Sequence, residues 1–168
     1  MTSIPPGDAS SFTLIPATMA DIALPTPRLR AGLDRGFADR ESGAAAVRDV
    51  MTQFEAMPRS ARWGPYWSVD LAADAVVGLA GFKDEPAGGS VEIAYFTFPR
   101  FQGRGYATRA IGQLAMLAWR DVATVVAHTL PVANASNTAL ARQGFAHVGE
   151  TIDPEDGLVW RWEKSRPD

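Results

Sequence analysis

The segment Pro99-Arg100-Phe101-Gln102-Gly103-Arg104-Gly105-Tyr106-Ala107-Thr108 decides the fold, because it joins the most strand-like run of the chain to its most regular helix. Residues 91–98, before it, are rich in β-branched and aromatic side chains. After it, apolar residues recur at helical spacing at Ala107, Ala110, Ile111, Leu114 and Ala118. Glycines let the backbone approach a ligand closely, and the N–H groups of a helix's first turn attract phosphate. The segment therefore predicts a pyrophosphate-binding turn, the alternative being a strand-to-helix turn without a ligand.

The rest of the chain extends this pattern in both directions. Before the turn, the sequence predicts strands over residues 12–16, 66–71, 76–82 and 91–98, a helix over 44–57 ended by Pro58, and irregular helix and loop over 24–40. After it come a helix over 105–120, a strand over 122–130, a short helix over 136–143, and a hairpin of residues 145–151 and 158–162. The sum is a mixed α/β domain.

Composition limits the possible functions. At 168 residues and 46% hydrophobic content, the chain predicts one domain over residues 1–168, with residues 1–11 loose. A net charge of −3 gives no field that attracts nucleic acid or an anionic membrane, so we expect neither as a partner. The absence of cysteine excludes disulfides and thiolate metal sites. The start lacks a secretory pattern and no apolar run is long enough to span a bilayer, which predicts a cytoplasmic protein.

Two well-known glycine loops do not fit the segment. A P-loop needs Lys and then Ser or Thr after its last glycine, where Tyr106 and Ala107 stand. The dinucleotide-binding fingerprint needs Gly or Ala where Thr108 stands, and an acid at the end of the next strand, whereas Asp121 precedes that strand. The pattern that remains is Arg-x-x-Gly-x-Gly, from Arg100 to Gly105.

This pattern resembles the signature of the GNAT superfamily of acyl-CoA-dependent N-acetyltransferases. Two further segments resemble the family: Glu92-Ile93-Ala94-Tyr95 before the loop, and Asn134-Ala135-Ser136 through Gly144-Phe145 after it. The resemblance covers about residues 76–162 and is closest to the branch of ribosomal-protein amino-terminal acetyltransferases. It implies a single GNAT-like domain whose central mixed, mostly antiparallel sheet is splayed between two parallel strands and flanked by helices.

The resemblance also implies acetyl-CoA as the co-substrate, with no metal. The pantetheine arm would pair with backbone of Phe96, Thr97 and Phe98, and the pyrophosphate would bind the amides of Gln102, Gly103, Arg104, Gly105, Tyr106 and Ala107. The side chains of Arg100, Arg104 and Arg109 would meet the CoA phosphates or stay solvated. Asn134, Ser136 and Asn137 would reach the pantetheine arm or cap the short helix.

An alkyl ammonium has a pKa near 10, so the reaction needs a base. Glu92 is the candidate, because it lies where the histone-acetylating branch keeps a water-linked base; the alternative is an edge carboxylate paired with arginine. Trp63, Tyr66 and His128 are candidates for contact with the acceptor, and His128 could also serve as base or acid. Many relatives carry a proton-donating tyrosine four residues before the glycine of Gly-Phe, where Leu140 stands here.

These observations predict an N-acetyltransferase that moves an acetyl group directly to a small-molecule or peptide amine, as a monomer or homodimer. One alternative is a CoA-binding sensor without catalysis, which the missing tyrosine favours. Another is a nucleotide-binding domain of Rossmann type.

Overall fold

A computed structural model describes residues 11–55 and 60–168. In this part of the chain, seven strands form one sheet and five α-helices flank it. The strands are β1 Phe12–Pro16, β2 Pro65–Asp70, β3 Ala75–Phe82, β4 Ser90–Thr97, β5 Thr124–Thr129, β6 Ala146–Asp153 and β7 Gly157–Ser165. The helices are α1 Met19–Ala23, α2 Pro27–Gly36, α3 Arg40–Phe54, α4 Tyr106–Ala118 and α5 Ala135–Arg142. Sheet order is β1-β2-β3-β4-β5-β7-β6.

The sheet is mostly antiparallel. β4 and β5 run parallel, and the other neighbouring pairs in the described sheet are antiparallel. This arrangement rules out a Rossmann-type domain, whose sheet is mostly parallel. β3 contacts both α2 and α4, and all its residues are buried, as expected for a strand covered on both faces. The predicted mixed α/β domain is confirmed.

The β4–β5 pair opens part of the way along its length. Its register runs from Ser90 opposite Thr124 to Ile93 opposite Ala127, and no pairing continues beyond that point in the described chain. β4 extends four residues further, still paired with β3. The last part of β4 therefore has one free edge, and the expected splay between two parallel strands is confirmed.

Residues 24–40 contain helix and loop as predicted, but the helix is regular, because ten consecutive residues form α2. The Thr26 hydroxyl caps this helix by accepting a hydrogen bond from the Leu29 N–H at 3.3 Å, and Pro27 occupies the first turn. Leu29 and Leu33, one turn apart, are each 1% exposed. A β-carbon on Gly32 would clash with the Val76 carbonyl oxygen, so this glycine permits close packing on β3 rather than breaking the helix.

The helix predicted over residues 44–57 begins earlier, at Arg40. Asp39 caps α3, accepting a hydrogen bond from the Ser42 N–H at 2.8 Å. The helix ends at Phe54 and Glu55 follows as its C-cap, so the predicted end at Met57 is too late. Pro58 lies outside the described residues, as does most of the segment predicted to be loose, residues 1–11. No helix among the described residues has the length and apolarity to cross a membrane.

Candidate active site

The glycine turn presents unpaired backbone N–H groups at the start of α4. Gly103 and Gly105 adopt φ angles of +77° and +82°, which disfavour residues with a β-carbon. No heavy atom lies within 4 Å of the position that a β-carbon would take at either glycine. The N–H groups of residues 103–108 donate to no group in the described chain. The Gln102 N–H differs from the expectation, because it already donates to the Pro99 carbonyl at 3.3 Å.

A groove of about 550 Å³ lies between this turn, the free edge of β4 and α5. Its walls come from β4, the glycine turn and α5: Tyr95, Phe96, Thr97, Phe101, Gln102, Gly103, Gly105, Tyr106, Ala107, Thr108, Ala135, Ser136, Thr138, Ala139 and Arg142. We call it the cofactor groove. The glycine turn is thus a wall of an open cavity and is not covered by side chains.

Among the arginines, Arg142 lines the cofactor groove, whereas Arg100, Arg104 and Arg109 do not. The Arg104 guanidinium lies 5.6 Å from the centroid of the Phe101 ring, and that of Arg109 lies 5.8 Å from the Tyr106 ring. Arg142 could not be predicted from the sequence, because it stands 37 positions after the last glycine of the turn and only the packing of α5 brings it to the groove.

The backbone groups of β4 alternate in direction along the strand, and the Thr97 carbonyl already accepts a hydrogen bond from the Gln102 side-chain amide at 3.4 Å. The Phe98 N–H donates to the Val77 carbonyl oxygen at 2.9 Å, and the Glu92 carbonyl oxygen accepts from the Lys83 N–H at 3.0 Å. The backbone groups of Phe98 and Glu92 therefore point toward β3. In an antiparallel pair, every second residue directs its N–H and C=O groups toward the partner strand, so those of Phe96 also point toward β3. The backbone of Tyr95 and Thr97 therefore faces the gap. This corrects the expectation for Phe96 and Phe98, and Phe98 is also fully buried.

A second cavity, of about 290 Å³, adjoins the cofactor groove. Tyr95 and Ser136 line both cavities and form the boundary between them. The remaining walls are Gln53, Lys83, Glu92, Ile93, Ala94, His128, Thr129, Leu130, Asn134, Asp156 and Val159. We call it the acceptor cavity. Two of the residues predicted to act on the acceptor, Glu92 and His128, therefore lie together.

Glu92 and His128 are in direct contact although 36 residues separate them. A Glu92 carboxylate oxygen lies 2.8 Å from His128 Nδ1 and 3.2 Å from Lys83 Nζ. The other ring nitrogen, His128 Nε2, is buried and has no hydrogen-bond partner in the described chain. The carboxylate pairs with lysine and histidine, where the sequence predicted apolar neighbours or an arginine. A buried nitrogen without a partner has an energetic cost that a functional role can explain.

Acidic groups near the turn between β6 and β7 shape the charge at this cavity. Burial alone would lower the pKa of Lys83, but the charge and hydrogen bond of Glu92, with Asp153 and Asp156, outweigh burial and raise it. Backbone N–H groups of Asp156 and Glu155, followed by the charge of Lys83, lower the pKa of Asp153. Lys83, in the cavity wall, and Asp153, near it, are therefore both charged at neutral pH.

Tyr95 was not predicted as a functional residue. Burial raises the pKa of its phenol to about 12, and a hydrogen bond with Ser136 opposes that rise. The group is thus a neutral hydroxyl near pH 7. Its signal in the sequence was its place in the strand before the glycine turn, but that strand could not show which residues of α5 lie beside it. Leu140, where relatives carry tyrosine, is fully buried in the core.

The remaining predicted residues have structural contacts. Asn134 caps α5 by accepting from the Asn137 N–H at 2.9 Å, while the Asn137 amide donates to the Val132 carbonyl at 2.7 Å. Trp63 packs edge-on against Phe82 with ring centroids 4.9 Å apart, and the Tyr66 hydroxyl donates to the Arg62 carbonyl at 2.7 Å. Neither Trp63 nor Tyr66 lines the cofactor groove or the acceptor cavity.

Within residues 11–55 and 60–168, no group of three or more His, Asp or Glu side chains could hold a metal ion. That the reaction uses no metal stays a prediction.

Comparisons with known proteins point to one family. A model of the acetyltransferase (GNAT) domain matches residues 15–146. Ribosomal-protein-S5-alanine acetyltransferase from Vibrio fischeri has a TM-score of 0.63 at 14% identity, with 94% of each chain covered. RimJ of Mycobacterium smegmatis, in complex with CoA-disulfide, has a TM-score of 0.65 at 19% identity, covering 92% of this chain and 81% of that one. The microcin C7 self-immunity acetyltransferase MccE, in complex with acetyl-CoA and AMP, has a TM-score of 0.66 at 16% identity, covering 97% and 98%. No curated protein matches the chain significantly.

Proposed function

The chain belongs to the GNAT acetyltransferase family, and from that premise we propose that it transfers an acetyl group from acetyl-CoA directly to a primary amine. One observation carries the proposal: the N–H groups of residues 103–108 are unpaired, and these residues, except Arg104, line an open groove beside the free edge of β4. Such N–H groups at a helix start bind phosphate without needing lysine. The complexes of MccE with acetyl-CoA and of RimJ with CoA-disulfide support the choice of co-substrate.

The CoA diphosphate binds the backbone N–H groups of Gly103, Arg104, Gly105, Tyr106 and Ala107. Arg142 lies in the groove wall and supplies positive charge, as Arg104 and Arg100 could from the solvent side. The pantetheine amides pair with the backbone of Tyr95 and Thr97, along the free edge of β4. The thioester then lies at the boundary between the groove and the acceptor cavity, next to Ser136.

The acceptor amine binds in the second cavity, and Glu92 and His128 act as one basic unit. Glu92 holds Nδ1, which leaves the lone pair on Nε2 for a proton from the ammonium group. The amine then attacks the thioester carbon, the carbon–sulfur bond breaks, and its electron pair leaves on sulfur. The nitrogen loses two protons in all, one to the base and one that ends on the thiol through water.

The acceptor is a small molecule or a peptide amino terminus. The Asp156 carboxylate at the cavity wall favours a cationic acceptor. The solved structures of the same fold include a ribosomal-protein alanine acetyltransferase and a microcin-immunity acetyltransferase, which fit both kinds of acceptor. The cytoplasmic location stays a prediction, and so does the state of the protein as a monomer or homodimer.

Isothermal titration with acetyl-CoA, followed by a thiol-release assay over a panel of amines, tests the proposal. We expect heat of binding at micromolar concentrations and turnover with at least one amine. Absence of binding at high micromolar acetyl-CoA would overturn it. Leu140 at the tyrosine position favours the alternative of a CoA-binding sensor. Glu92→Gln separates the two, because an enzyme keeps CoA affinity and loses rate, whereas a sensor has no rate to lose.

A further inference from the structure

We propose that Tyr95 stabilises the departing CoA thiolate by donating a hydrogen bond from its hydroxyl to sulfur. The inference rests on the proposed function and adds a catalytic residue to it. Relatives carry a proton-donating tyrosine at the position of Leu140 on α5, but Leu140 is apolar and fully buried here. The proposal assigns the stabilisation of the thiolate to a residue of β4 instead.

The position of Tyr95 supports this assignment. Tyr95 and Ser136 are the two residues that line both the cofactor groove and the acceptor cavity. An amine in one cavity can reach a thioester in the other only across this boundary. Sulfur must therefore pass beside Tyr95, which lies two residues beyond Ile93, the last residue of β4 that pairs with β5.

The protonation state of Tyr95 also fits a hydrogen-bond donor. Burial raises the pKa of its phenol to about 12, so the hydroxyl keeps its proton across the pH range in which amines are acylated. A thiol of cysteine type has a pKa near 8.5. Complete transfer of the phenolic proton to the thiolate is therefore unfavourable, whereas a hydrogen bond to the developing charge is favourable. In this step the carbon–sulfur bond breaks, its electron pair goes to sulfur, and the second proton lost by the nitrogen reaches the thiolate through water.

Ser136 is the competing donor, because it lines the same two cavities as Tyr95 and also carries a hydroxyl group. Two variants separate them. Tyr95→Phe removes one oxygen and keeps the ring, and Ser136→Ala removes the neighbouring hydroxyl. Thermal unfolding of both variants checks that they are folded.

The measurement is the ultraviolet absorbance of the CoA thiolate, titrated with pH in the complex with each protein. Loss of a hydrogen bond to a charged group predicts that the bound thiol titrates about one pH unit higher, or more, in Tyr95→Phe than in the wild type. The same loss predicts a fall in kcat of about tenfold to a hundredfold, with the CoA dissociation constant and KM for acetyl-CoA unchanged. Ser136→Ala is expected to shift the thiol titration and to lower kcat, but both by less than Tyr95→Phe does.

An unchanged thiol titration in folded Tyr95→Phe overturns the inference, and so does an unchanged kcat. A larger effect in Ser136→Ala assigns the donor to Ser136 and also overturns it. A purely structural role of Tyr95 would weaken CoA binding or lower the melting temperature without moving the thiol titration. If the wild type binds CoA, shows the shifted titration and acylates no amine, the proposed function fails while the hydrogen bond to sulfur stands.

Discussion

Gly103→Ala tests whether backbone amides of the glycine turn hold the cofactor. In the structure Gly103 has a φ of +77°, and nothing lies within 4 Å of the place for a β-carbon. The substitution therefore creates no clash in the free protein. It adds a methyl group to the open groove and strains a backbone conformation that presents the neighbouring N–H groups.

Two magnitudes follow from this geometry. The left-handed conformation costs an alanine about 1–2 kcal/mol, which corresponds to a fall in melting temperature of roughly 2–8 °C for a chain of this size. Losing one charge-assisted hydrogen bond to phosphate costs about 1.5–3 kcal/mol, so the CoA dissociation constant should rise about tenfold to a hundredfold. Isothermal titration with CoA measures the second quantity and calorimetric unfolding the first.

Gly89→Ala is the matched control. Gly89 has the same φ of +77° and the same open surroundings, but it lies in the turn before β4, away from the cofactor groove. We expect the two variants to lose similar stability and only Gly103→Ala to lose affinity. Equal CoA affinity in both variants and the wild type would refute the assignment of the diphosphate to this turn.

Three further perturbations follow from particular contacts. His128→Gln should lower kcat about a hundredfold or more in steady-state assays, with CoA affinity unchanged, because it removes the proposed base. The control is His147→Gln, at a histidine that stacks on Trp162 outside both cavities, and its kcat should match the wild type. Equal rates in the two variants would contradict the proposed role of Glu92 and His128 as one basic unit. Burial would raise the pKa of Asp70, but hydrogen bonds from the Tyr106 hydroxyl and the Ala73 N–H outweigh burial and lower it below the unfolded value near 3.9. The charge of Asp70 therefore stabilises the fold at neutral pH, and this contribution is lost as the pH falls through the lowered pKa of the folded state. Asp70→Asn should lower the melting temperature at pH 7, and the difference from the wild type should shrink progressively as the pH is lowered below about 4; a constant difference would contradict this. Gly32→Ala should lower the free energy of unfolding by about 1–2 kcal/mol, measured by denaturant unfolding. The added β-carbon clashes with β3, and the cost of this clash exceeds the roughly 1 kcal/mol that alanine gains in helix propensity. A stabilised variant would show that α2 can shift away from β3.

Most elements could be predicted because their signals are local. The alternation of β4 and the helical spacing of α4 fix both elements, and Gly103 and Gly105 mark the turn between them. The bounds and regularity of α2 could not be predicted from local signals, since glycine and proline are typical of loops. Its helical state depends on the Thr26 cap and on packing against β3.

In the candidate site, too, some features depend on local sequence and others on tertiary packing. The family resemblance, the glycine turn and the candidate base Glu92 can all be recognised from residues that are close together in the chain. Tertiary structure alone decided that β4 and β5 separate after Ile93, that the Glu92 carboxylate meets His128, and that Tyr95 lies beside Ser136. Those contacts depend on strand register and helix docking, which are set by packing between segments far apart in the chain, and local periodicity carries no information about them.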